Sequence, residues 1–206
     1  FTQSPTVYSG LELIDQQVVS ATDTGAYELE ITLPTDYRFH KIIMSEWQMN
    51  ETVTSPYLQL GTASSWVTGL LYQNCGIWAR GNQLTDYGWT TNGTSSSDFF
   101  RESSGKFYRG SYRPSYSGIG PIPIAFEMDI FGAANASSYT VIQTQIGYST
   151  TNADSSLTHA IRETVGCSIE DTQQHTRIKF VEGGSAQTGT LNFHYHVFGE
   201  KHIHTT

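Results

Sequence analysis

Polar and apolar residues alternate along most of this chain, and alternation with a period of two marks a strand with one buried face. Tyr27 to Leu33 alternates over its whole length, and Pro34 ends it with Thr35-Asp36 as a turn. Arg177 to Val181 alternates again before Gly183-Gly184 interrupts it. From Thr190 to Phe198, Leu191, Phe193, Tyr195 and Val197 share one side, while Asn192, His194, His196 and Phe198 share the other. These last two runs predict a closing two-stranded hairpin with a loop of about eight residues. Further strands are expected at Leu11 to Val19, Phe39 to Met49, Tyr57 to Gly61 and Thr68 to Trp78. Others follow at Pro123 to Phe131, Tyr139 to Ser149 and His159 to Cys167.

Between Ala79 and Gly120 the pattern weakens into Gly, Ser, Asn and Asp with scattered rings. Short strands are expected there at Gly88 to Thr91 and Gly105 to Gly110. About ten strands and no helix fit two packed sheets. The expected fold is a single antiparallel β-sandwich of jelly-roll type over residues 1–206, with 79–120 a decorated, loop-rich insertion.

Composition agrees: charged residues are 15% and aromatics 13% of the 206 residues, which suits short strands and tight turns. The net charge of −8 and the lack of any Lys/Arg run argue against a phosphate-neutralising surface, so no nucleic-acid partner is expected. No apolar stretch approaches a membrane span, and no membrane insertion is expected. No signal peptide is visible in a chain that begins at Phe1. Cys75 and Cys167 are too few for a disulfide framework; two buried thiols are expected, with one disulfide as the alternative.

Three groups of residues are candidates for chemistry. Rings on loops stack on the apolar faces of sugars while Asn and Asp read hydroxyls. Trp66, Trp78, Tyr87, Trp89, Tyr108 and Tyr112, with Asp86, Asn92 and Asp98, form that set, unless the rings fill the core or an inter-subunit face. His194 and His196 project to one side of a strand, and His202 and His204 repeat the spacing. Imidazole pairs suit first-row transition metals, though a polar strand face and a frayed tail explain them too. Glu127 and Asp129 also share one side, and Asp98 and Glu102 lie in the aromatic region; glycoside hydrolysis needs two such carboxyls at a set separation. There is no nucleophile elbow, zinc-protease helix or phosphate loop. Asn50, Asn92 and Asn135 open glycan-acceptor triplets, which matter only in a protein secreted from a eukaryote.

Leu33-Pro34-Thr35-Asp36-Tyr37 reads LP-x-x-Y, and the closing segment reads Ile178-Lys179-Phe180, Gly183-Gly184, Gly189-Thr190 and Gly199-Glu200-Lys201. Together with the extended start at Tyr8 to Ile14, these blocks resemble a β-sandwich module of bacteriophage virion proteins. The likeness covers roughly the first 50 and last 30 residues. The chain departs from it in the His194-Tyr195-His196 strand and in the tail from His202 to Thr206. The resemblance implies a non-enzymatic virion protein, multivalent and expected to be a homotrimer bound to other virion proteins. Either it is a tail-fibre or receptor-binding domain attaching to a host-surface glycan, or it is a capsid decoration protein clamping neighbouring subunits. A polysaccharide depolymerase is the enzymatic alternative. Resembling fibre proteins place HxH pairs around a threefold axis, so the resemblance implies a transition metal there as the one candidate cofactor.

Overall fold

The structure is a computed structural model that describes residues 10–23, 28–48, 54–69, 71–82, 98–102, 104–105, 124–151, 158–183 and 189–201. These residues form eleven strands: β1 (Glu12–Asp23), β2 (Glu28–Thr32), β3 (Tyr37–Gln48), β4 (Thr54–Gly61), β5 (Tyr72–Asn82), β6 (Asp98–Glu102), β7 (Ile124–Phe131), β8 (Thr140–Thr151), β9 (Thr158–Ile169), β10 (Arg177–Gly183) and β11 (Gly189–Lys201). An eight-stranded sheet runs β1-β11-β3-β7-β8-β9-β5-β6, and a three-stranded sheet runs β2-β10-β4. Every pairing is antiparallel. The protein is therefore all-β, with the two sheets stacked as a sandwich. No helix among the described residues is long and apolar enough to cross a membrane.

The alternation sets the faces. In β3, His40, Ile42 and Met44 are buried; in β8, Thr140, Ile142, Thr144 and Ile146; in β11, Phe193, Tyr195 and Val197. They meet Leu29, Ile31, Leu58, Leu60, Ile178 and Phe180 of the smaller sheet in one continuous core. Phe126 and Phe180 touch across the two layers with ring centroids 5.6 Å apart. The Tyr72 hydroxyl ties the layers as well: it accepts from the Leu60 N–H at 2.9 Å and donates to the Val67 carbonyl at 3.3 Å. Burial raises the pKa of this phenol, so it stays a donor at any ordinary pH.

The last two strands do not form a hairpin. β10 is the centre of the small sheet, between β2 and β4, while β11 lies between β1 and β3 in the large one. Period-two alternation fixes which face is buried but not which strand is the partner. Splitting the two strands between sheets gives each of them two ladders instead of one. Counted from the chain's ends, β1 pairs with β11 and β2 with β10, so the two ends of the chain nest in both sheets. The sheet sizes of eight and three depart from an even eight-stranded roll, because β8, β9, β5 and β6 extend one sheet only.

The middle region contributes to both sheets. β5 continues to Asn82, and β6 adds an edge strand where only loop was expected. Gly105 bridges to Leu58 of β4, where a Cβ would press on the Leu58 side chain and lie 3.2 Å from the Cys167 Sγ. The strand expected over 88–91 and the remainder of that expected over 105–110 fall outside the described residues. The cysteines form no disulfide, and Cys75 is exposed while Cys167 is buried. Cys75 pairs with Gly166 and Asn74 with Cys167, so the two thiols project from opposite faces of the sheet.

The two motif blocks interlock. The Leu33 N–H donates to the Thr176 carbonyl at 2.7 Å. A Cβ on Gly199 would strike the Tyr37 ring and the Ile14 side chain. Lys201 lies over the same ring, 5.7 Å from its centroid, and pairs with Glu12 at 2.8 Å. The Tyr37 hydroxyl donates to Glu12 at 3.1 Å. Lys201, then Tyr37, hold the Glu12 carboxyl below its usual range. Replacing Gly199 with Ala should cost about 1–3 kcal/mol, because a rigid ring must move. Chemical denaturation with an unchanged m-value is the measurement. A thiol-exchange reagent should titrate one cysteine in the native protein and both after unfolding.

Candidate functional site

Among the described residues, a depression with a volume of about 410 Å³ lies on the outer face of the eight-stranded sheet. Its floor follows from register. Ala125 of β7 pairs with Gly147 of β8, and Gly147 pairs with Arg162 of β9. Two adjacent positions therefore carry almost no side chain, and nothing lies within 4 Å of a Cβ built on Gly147. Ile43 of β3 forms an apolar wall. The register of β3 shifts beside it, between Met44 and Trp47 against β7 and between His194 and Tyr195 against β11. Such irregularities bend a strand and re-aim its side chains.

The polar groups of the groove are one hydroxyl, one amide, one carboxylate and one guanidinium. Arg162 donates to Gln145 Oε1 at 3.1 Å, and Ser45 donates to the His194 carbonyl at 3.1 Å. Glu127 pairs with the Lys41 ammonium at 2.8 Å, and Asp129 takes the same ammonium at 3.2 Å. The Glu127 hydrogen bond is the largest influence raising the Lys41 pKa, ahead of the opposing effect of burial and the further Asp129 bond. The two carboxylates singled out from sequence do share a face, as their spacing required. They close on Lys41, which occupies the space a scissile bond would need between them.

Trp66 is the one member of the aromatic set whose side-chain surroundings are described. It lies over the outer face of the small sheet, away from the groove. A Cβ on Gly61 would come within 2.7 Å of its ring. Arg177 Cζ lies 4.2 Å and Lys179 Nζ 4.6 Å from the ring centroid. Glu30 and Glu28 in turn pair with those cations at 3.2 Å and 2.9 Å. The next residue, Val67, turns into the core. One dipeptide thus caps the small sheet on its outside and fills it from the inside. Trp78 lies within β5 opposite Glu163, and Asp98 opens β6 opposite Gly76. Tyr87, Trp89, Tyr108, Tyr112, Asp86 and Asn92 lie outside the described residues.

His194 and His196 are partly exposed on the outer face of β11, with ring centroids 4.9 Å apart. His196 stacks on Phe198 at 6.2 Å. Their register neighbours are Val18 and Gln16 on β1 and Glu46 and Ile43 on β3. Among the described residues no group of three or more His, Cys, Asp or Glu could hold a metal ion. His202 and His204 lie outside the described residues.

One constellation had no sequence signal. Thr140 Oγ1 lies 2.8 Å from His175 Nδ1, and His175 Nε2 lies 4.0 Å from Asp171 Oδ2. Hydroxyl, imidazole and carboxylate stand in the order of a nucleophile, a base and its orienter. Thr140 and His175 are 0% and 1% exposed, however, so no substrate reaches the hydroxyl, and the set fastens β8 to the β9–β10 loop. Comparison of the chain with protein-family models, curated proteins and solved structures gave no match. Trp66→Leu should lower stability by about 1–3 kcal/mol, since it uncovers Gly61 and two cations. Thermal or chemical unfolding measures this, and any ligand affinity at the groove should stay unchanged.

Proposed function

We propose that this chain is a non-enzymatic binding module of a bacteriophage virion, a tail-fibre or receptor-binding domain that attaches to a host-surface glycan through the groove on the large sheet. The observation that carries the glycan reading is the groove itself. Its bare floor at Ala125 and Gly147 admits a flat ring, and Ser45, Glu127, Gln145 and Arg162 offer the donors and acceptors that read hydroxyls. The virion reading rests on the two motif blocks, LP-x-x-Y and G-x-K, whose residues Tyr37, Gly199 and Lys201 pack against one another. A shallow groove gives weak single contacts, and repetition on a trimer, with other virion proteins as its mount, converts these into avidity.

Capsid decoration is the second reading, favoured by the exposed apolar residues Leu13, Val18, Phe131, Tyr139 and Val141. They suit contact with neighbouring subunits better than they suit sugar. In that reading the large sheet's outer face is covered in the particle. The position of Lys41 between Glu127 and Asp129 favours binding over depolymerisation.

Gly147→Phe tests the groove directly. The position has open space on its outer side, so the substitution should leave the melting temperature in place while filling the floor. Binding to a host-derived oligosaccharide that the wild type retains on a glycan array should fall by about tenfold or more. Equal binding by the variant, or no retained glycan for the wild type, overturns this reading.

A further inference from the structure

Two imidazoles are sealed into one end of the sandwich, and their ring nitrogens are served differently. His40 is 1% exposed on the inner face of β3, between Gly199 of β11 and Ile130 of β7. Its Nε2 lies 3.0 Å from the Pro34 carbonyl. A carbonyl only accepts, so Nε2 carries the ring proton and Nδ1 is the bare nitrogen. Nδ1 is enclosed and has no hydrogen-bond partner. The titratable group facing the ring is Tyr37, with centroids 6.0 Å apart. Lys41 follows His40 on the same strand, and Asp129 and Glu200 belong to the flanking strands, but Lys41 is engaged with Asp129 and Glu200 with Arg38 on the outer face. Asp36 is exposed in the turn.

His175 contrasts with this. Thr140 serves one nitrogen; the other, like His40 Nδ1, is buried without a hydrogen-bond partner, but it stands 4.0 Å from the Asp171 carboxylate, so a second proton there would face an anion. Tyr72 and Cys167 are the remaining titratable groups packed at that end, and Tyr72 feels the Asp171 charge.

We propose that His40 is an acid-sensitive latch on the turn from Leu33 to Tyr37. Taking up a solvent proton at Nδ1 places a charged donor where nothing accepts it. A buried unmatched charge is relieved by opening to water. The nearest part able to open is the turn that His40 holds through Pro34. That turn carries Tyr37, which in turn packs on Gly199 and bonds Glu12. Opening therefore loosens the start of β1 and the end of β11 together, while β7 to β9 stay closed.

Burial holds the His40 pKa below its ordinary value, with the Pro34 bond opposing this more weakly. A depressed histidine favours the folded state in its neutral form. Its contribution is fully present above the unfolded value of about 6.5. It is lost as pH falls from there toward the folded pKa. Burial lowers the His175 pKa too, against the pull of Asp171.

Hydrogen exchange of the whole chain at about pH 7.5 and about pH 5, corrected for intrinsic rates, tests the latch. Protection over 12–16, 33–41 and 196–201 should fall by up to about tenfold per pH unit inside the window, with β8 and β9 unchanged. His40→Leu should abolish the pH dependence of that loss, and His175→Gln should keep it. Uniform protection at both pH values overturns the proposal, and so does an equal acid response in His40→Leu. Should His40→Leu fail to fold, the wild-type His40 imidazole signal decides, assigned through its correlation to the His40 backbone. A His40 ring that titrates at the ordinary value without local loosening overturns the latch.

Discussion

The separation of β10 from β11 is the constraint on which the rest of the structure depends. Each is an interior strand of a different sheet. Without β10, β2 and β4 have no common partner; without β11, β1 loses its only ladder. β10 and β11 follow one another in sequence yet stand in different layers, so each sheet takes an interior strand from the same stretch of chain. Ile178 and Phe180 of β10 enter the shared core, Phe180 against Phe126 of β7.

The groove depends on the same packing at one remove. A sheet face stays shallow when its side chains are of similar size. Here Ala125 and Gly147 lie side by side because β7 and β8 pair in one particular register. A slip of one residue would bring large inner-face side chains to that position. The interior of the sandwich, by holding Phe126 and Ile146 inward, is what keeps Ala125 and Gly147 facing out. Core packing and binding surface are two sides of the same strands.

Much of the sandwich was legible in the sequence because its strands are buried on one face. Alternation in Tyr139 to Ser149 puts Thr140, Ile142, Thr144 and Ile146 on one side, and all four are buried. Partners were not legible: nothing in Arg177 to Lys201 says that its two runs belong to different sheets. β6 escaped notice because Asp98-Phe99-Phe100-Arg101-Glu102 does not alternate polar with apolar. Trp66 read as a free-standing ring, since sequence does not reveal that Gly61, Arg177 and Lys179 converge beneath it. The groove and the Thr140–His175–Asp171 set are non-local by nature. Each joins residues from separate strands or loops, and only register brings them together.

The outermost strand has a consequence for assembly. β1 is twelve residues long and, among the described residues, is paired on one side, by β11. Long unpaired edges invite another strand to add. This one carries Glu12, Asp15 and Asp23 and no Lys or Arg, and its register shifts between Leu13 and Asp15. Two copies meeting edge to edge would oppose acid to acid along a kinked ladder. Like charges set opposite one another in this way disfavour the addition of a second β1 strand at that edge.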